Sequence, residues 1–193
     1  RLLDADKAGH AGTLDPRASG LLPLLFGEAT KFAQFGLDSV KEYVASIRRG
    51  GATATGAAEG KVLETRPVDM EEARLAVALR GFRGAIEQIP PMYSALKHGG
   101  QPLYSLARAG RSVERAPRRV MIHELELIGR KGDLLEIRLR CSKGTYVRQL
   151  ASDLGTKLGT GAHLESLRRI AAGRFRIEGA VTLDELQGMG EEA

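Results

Sequence analysis

Two alternating runs, Val120–Ile128 and Leu134–Cys141, set the tightest limit on the fold. Apolar and polar residues alternate along both, and Gly129-Arg-Lys-Gly132-Asp133 joins them. A period of two places successive side chains on opposite faces of a strand. A short glycine-bearing connection makes the pair an antiparallel hairpin. A half-apolar sheet must be covered on one face. Lys41–Arg49 repeats the pattern, with Tyr43, Ala45 and Ile47 on one side. The cover is supplied by helices. Thr145–Leu158 is apolar at Val147, Leu150, Ala151, Leu154 and Leu158, a helical spacing closed by Gly159.

Weaker signals fill in the rest. Glu28–Phe35 has helical spacing with Gly36 as its stop. A strand is expected over Lys61–Glu64, and a helix capped by Asp69 over Met70–Leu79. A short helix, Leu103–Ala109, precedes Gly110, and Leu164–Ile170 and Arg174–Ile177 read as strands about Gly173. Thr182 and Glu185 form a capping box for a last helix. The order predicts an α+β fold, a mixed but mostly antiparallel sheet flanked by helices. At 193 residues without repeats or linkers, one domain over residues 1–193 is expected.

Composition narrows the function classes. The 29 Lys and Arg against 24 Asp and Glu give a net charge of +5, which permits a polyanionic partner. No apolar run approaches membrane-spanning length. The single cysteine, Cys141, excludes an internal disulfide framework and fits a reducing cytoplasm; its strand position reads as a buried structural thiol. His10, His98, His123 and His163 form no metal-ligand spacing, so no metal is expected. Phosphate-loop and nucleophile-elbow motifs are lacking. No coiled-coil seam is present, and the expected state is a monomer.

The segment Gly9-His10-Ala-Gly12-Thr-Leu-Asp15-Pro16 is a constrained loop, because Pro16 turns Asp15 out of helical conformation. An Asp before Pro in such a loop is by itself a turn former. For catalysis it needs a pocket and a cation to offset desolvation of its charge.

These residues carry a family resemblance. The run Gly9–Pro16, continued by Ala18, Gly20, Leu22 and Pro23, resembles the catalytic motif of TruB-type tRNA pseudouridine synthases. Gly27-Glu-Ala-Thr-Lys31, Lys41-Glu-Tyr43 and Pro91-Met-Tyr-Ser-Ala-Leu-Lys97 resemble further blocks of that family, in order. So do Cys141-Ser-Lys-Gly-Thr-Tyr-Val-Arg148 and Gly161-Ala-His163 through Leu167-Arg-Arg169. The resemblance implies a pseudouridine synthase fold and isomerisation of uridine 55 in the T loop of tRNA, without cofactor or metal. It implies Asp15 as the nucleophilic catalyst, without choosing between attack on the ribose, addition to the base and a glycal route.

By the same resemblance Arg148 pairs with Asp15, and its fork geometry suits a two-point bond to a carboxylate. Tyr43 becomes a catalytic residue and the platform for a flipped base, although its alternating strand taken alone favours core packing. Tyr146, Leu167 and His10 become further substrate contacts, where Leu167 would otherwise be a core leucine. Lys31, Lys97 and Arg108 become RNA-backbone contacts.

Three departures qualify the match. Neither the family's N-terminal strand with its Lys-Pro turn nor its small C-terminal PUA-like module is found within residues 1–193, which predicts weaker affinity for tRNA than the family norm. Ala54 and Ala57 stand where the family has aspartates, which predicts a looser loop over Thr53–Gly60. They also motivate an alternative, a non-catalytic tRNA-binding or RNA-folding protein on the same scaffold.

Overall fold

The computed structural model describes residues 5–68 and 72–189. In chain order the strands and helices are β1 (Ala8–His10), β2 (Ser19–Gly20), β3 (Leu24–Phe26), a 3-10 helix (Gly27–Phe32) and α1 (Ala33–Asp38). They continue with β4 (Lys41–Arg49), β5 (Gly51–Thr53), β6 (Val62–Thr65), α2 (Glu72–Arg80), β7 (Gly84–Gln88), β8 (Lys97–His98) and β9 (Gln101–Pro102). The last are α3 (Leu103–Arg108), β10 (Arg118–Lys131), β11 (Leu134–Cys141), α4 (Val147–Leu158), β12 (Ala162–Ala172), β13 (Phe175–Arg176), a second 3-10 turn and α5 (Leu183–Met189). The expected cap Asp69 lies outside the described residues.

A seven-stranded sheet in the order β13-β12-β4-β11-β10-β7, with β2 beside β12, organises the molecule. All its pairings are antiparallel except that of β2 with β12. The β10–β11 hairpin forms as the alternation predicts, and β10 runs on to Lys131. Along β4 the odd positions face inward, where Ala45 and Ile47 are buried with Ile137 and Leu139 of β11. Helix α4 lies on that face and buries Val147, Leu150, Ala151, Leu154 and Leu158 in the same core. The α4 backbone ends at Gly159 in the left-handed region, φ 77°.

Gly36 departs from its expected role. It lies inside α1, and a Cβ there would stand 2.3 Å from Ala11 Cβ. It allows α1 to press against the loop after β1, and the helix runs on to Asp38. Its end is closed by the Lys41 ammonium, which donates to the carbonyls of Gly36, Leu37 and Ser39 at 3.1, 2.5 and 2.7 Å.

Candidate active site

The loop between β1 and β2 is a turn held at both ends. Ala18 donates its N–H to Asp15 O at 2.8 Å, a four-residue turn with Pro16 in the second position, where its fixed φ is suited. The loop returns through β2, which lies parallel to β12 with Ser19 opposite Arg168 and Gly20 opposite Arg169. Gly20 has φ +96°, and a Cβ there would meet Arg169 O at 2.2 Å, so only glycine fits.

Asp15 is presented to Arg148 in the first turn of α4. The guanidinium donates Nε to Oδ2 at 2.6 Å and Nη2 to Oδ1 at 3.0 Å, the two-point arrangement expected. The remaining donors reach two other segments: Nη1 bonds Thr55 O at 3.2 Å and Nη2 also bonds Tyr93 O at 3.0 Å. The Arg148 side chain is 8% exposed and that of Asp15 37%. The cation is therefore buried and fixed, while the carboxylate keeps an open side.

Tyr43 joins them from β4, opposite Arg169 of β12. Burial chiefly pushes its hydroxyl up to about 12; the Cys141 thiol and the Asp15 carboxylate add to this, and the nearby Arg169 guanidinium opposes it. The group is a neutral phenol at physiological pH, able to donate a hydrogen bond and to offer a flat face. Leu167 lies two positions before Arg169 on the same buried side of β12. Tyr146 caps α4 immediately before Arg148 and is half-buried.

The other expected residues are more peripheral. His10 is exposed on β1, opposite Leu24 of β3. Lys31, Lys97 and Arg108 are exposed on the first 3-10 helix, β8 and α3. Lys31 contacts Glu28, and Arg108 lies over the Tyr104 ring at 5.4 Å. A cavity of about 510 Å³ lined by Glu42, Arg138, Arg140 and Arg176 opens on the other face of the sheet, and none of the expected site residues lines it.

Two residues that the sequence reading did not single out shape the site. Gln88, 2% exposed at the end of β7, donates to Tyr146 O at 3.1 Å and accepts from Tyr146 N at 2.9 Å. It fixes the start of α4 and hence Arg148. The second is Arg169, buried on β12 opposite Tyr43.

The loop expected to loosen for want of carboxylates is stitched by other groups. Thr53 and Thr55 hydroxyls donate to Ala57 O at 2.7 and 3.2 Å. Ala58 N–H donates to Leu164 O and Leu164 N–H to Gly56 O, both at 2.9 Å. Thr55 O is thereby set for Arg148 without either aspartate.

Residues 1–147 match the family described as TruB family pseudouridylate synthase (N terminal domain), and residues 148–192 match the tRNA pseudouridylate synthase B C-terminal domain. The chain is 57% identical over its whole length to tRNA pseudouridine synthase B of Aromatoleum aromaticum and covers 63% of that protein. It is 55% identical to the protein of that name from Pseudomonas fluorescens, over 99% of the chain and 63% of the relative. A solved Cbf5-Nop10-Gar1 complex superposes with a TM-score of 0.76 and 31% identity, over 97% of this chain and 47% of the other. An H/ACA RNP bound to a substrate RNA containing 2'-deoxyuridine gives 0.71 and 29%, over 97% and 45%. The chain thus spans about 63% of the curated relatives' length. The matched blocks, the fold and the Asp15–Arg148 pair agree: the chain belongs to the TruB family of pseudouridylate synthases.

Proposed function

We propose that the chain converts uridine 55 of the tRNA T loop to pseudouridine. The observation that carries this is the half-exposed Asp15 carboxylate, gripped by a buried Arg148 through both oxygens. The relatives named tRNA pseudouridine synthase B supply the substrate class. The reaction breaks the N1–C1′ bond of the uridine, turns the base and joins C5 to C1′. The C5 proton is lost and N1 gains one, so atoms balance without an oxidant or a reductant.

The chain's residues divide the work. Arg148 holds Asp15 aimed, and the exposed side of the carboxylate faces the nucleotide as nucleophile. Tyr43 gives the flipped base a flat, uncharged wall, with Tyr146 and Leu167 beside it and His10 on the loop rim. Stacking of this kind contributes about 1 to 3 kcal/mol per base. Lys31, Lys97 and Arg108 contact phosphates. The enzyme works as a monomer in the cytoplasm.

The test uses a tRNA transcript carrying tritium at C5 of its uridines, under single-turnover conditions. The chain is expected to release label from the T loop, and Asp15→Asn to lose at least about 10³-fold in rate while still binding the transcript. Equal release by both proteins overturns the catalytic role of Asp15. Binding without any product favours the RNA-folding alternative.

A further inference from the structure

Arg169 heads the largest fully buried side chains among the described residues, at 1% exposure on β12. Its guanidinium bonds no acid among them. Nε donates to Leu21 O at 2.7 Å, Nη2 to Gly12 O at 3.0 Å and Nη1 to Thr13 O at 3.4 Å. A buried cation that bonds carbonyls and no carboxylate is an expensive device, and an apolar side chain of similar size would fill the place at lower cost. What it holds accounts for its presence. Gly12 and Thr13 precede Asp15, and Leu21 follows it. The Arg169 backbone grips the same stem, accepting from Leu21 N at 2.8 Å. Lys41 adds a second buried cation close by: a Cβ on Gly12 would lie 3.4 Å from Arg169 Nη1 and 3.8 Å from Lys41 Cε.

We infer that Arg169 is a positioning residue for the reaction. It ties both stems of the Asp15 loop to β12 and sets a fixed positive charge beside Tyr43, so that carboxylate and aromatic wall keep their spacing while the base turns. The inference rests on the proposed activity for its kinetic arm; a hydrogen-exchange arm stands apart from that activity.

The experiment compares the chain with Arg169→Met, Arg169→Lys and a control, Arg49→Met. Arg49 is also a buried arginine on a carbonyl, Gly132 O at 3.0 Å, but lies at the other end of β4. In Arg169→Met, amide exchange over residues 11–21 is expected to rise at least about tenfold, with β10 and β11 unchanged. The single-turnover rate is expected to fall about 10²-fold, the order that a small misplacement costs, while the tRNA dissociation constant stays within about threefold. Arg169→Lys recovers part of the rate, because an ammonium keeps the charge but not the fork. Unchanged exchange over residues 11–21 in both Arg169 variants overturns the inference whatever the activity. A rate in Arg169→Met equal to that of an active wild type also overturns it. So does an equal rate loss in Arg49→Met at matched loss of stability. If the wild type makes no product, the proposed function fails and the exchange result alone decides whether Arg169 holds the loop.

Discussion

Arg148 gathers three segments remote in the chain, Asp15, Thr55 and Tyr93, onto one planar group. Lysine keeps its charge but cannot serve these directions at once. Arg148→Lys is therefore expected to lower stability by about 2 kcal/mol, the scale of charge-assisted bonds lost from a buried donor, and to slow product formation. Urea unfolding and tritium release check both; a variant matching the wild type in both refutes the junction role. The pairing of residues 15 and 148 was legible because the motif blocks announced both partners. Arg169 and Gln88 were not, because a buried polar side chain reads in sequence like a solvated one. One signal was available: Leu167, Arg169 and Ala171 alternate along β12, which puts an arginine on the inward side of a strand.

Among elements, those with a sustained period were read correctly. β4 spans Lys41–Arg49 and β11 Leu134–Cys141 as the alternation required, and Thr182 and Glu185 bond reciprocally as a capping box. β5, β7, β8, β9 and the short strands β1 to β3 were missed, since two to five residues hold too little period to show. They are set by their neighbours. Tertiary contact also overrides local preference at Gly155 of α4, where a Cβ would stand 2.1 Å from Ala162 N and 2.4 Å from Gly161 C. Helix propensity favours alanine there by about 1 kcal/mol. Overpacking against rigid backbone costs about 1 to 3 kcal/mol. Gly155→Ala is expected to be destabilising by urea unfolding, and a raised midpoint would show that β12 yields to the helix.

For the molecule as a whole, one sheet carries both the core and the site. The two regions matched by family models meet at residues 147 and 148 yet share that sheet, so the boundary in sequence is not one in space. Its buried acids set the alkaline limit. Burial pushes the Cys141 thiol from its ordinary 9.0 up to about 11 and the Tyr43 phenol from 10.0 up to about 12. Above pH 9 the unfolded chain releases protons that the folded chain retains, so stability falls as pH rises. Below pH 9 the contribution is intact. Each group accounts for roughly 2 to 3 kcal/mol, lost by about pH 11 for the thiol and pH 12 for the phenol. Unfolding midpoints from pH 8 to 12 should show the fall, and Cys141→Ala should remove its portion between pH 9 and 11. A flat profile would count against burial of both groups.

The separation of the two halves of the ion pair by 133 positions also fixes an order of events at the ribosome. Asp15 emerges early and Arg148 late, with Arg169 later still. A nascent chain released before α4 would carry the carboxylate without the Arg148 guanidinium that grips it, and one released before β12 would lack Leu167 and the Arg169 anchor of the loop. The grip on the carboxylate is thus completed only once α4 has been made, and the second anchor of its loop only once β12 has.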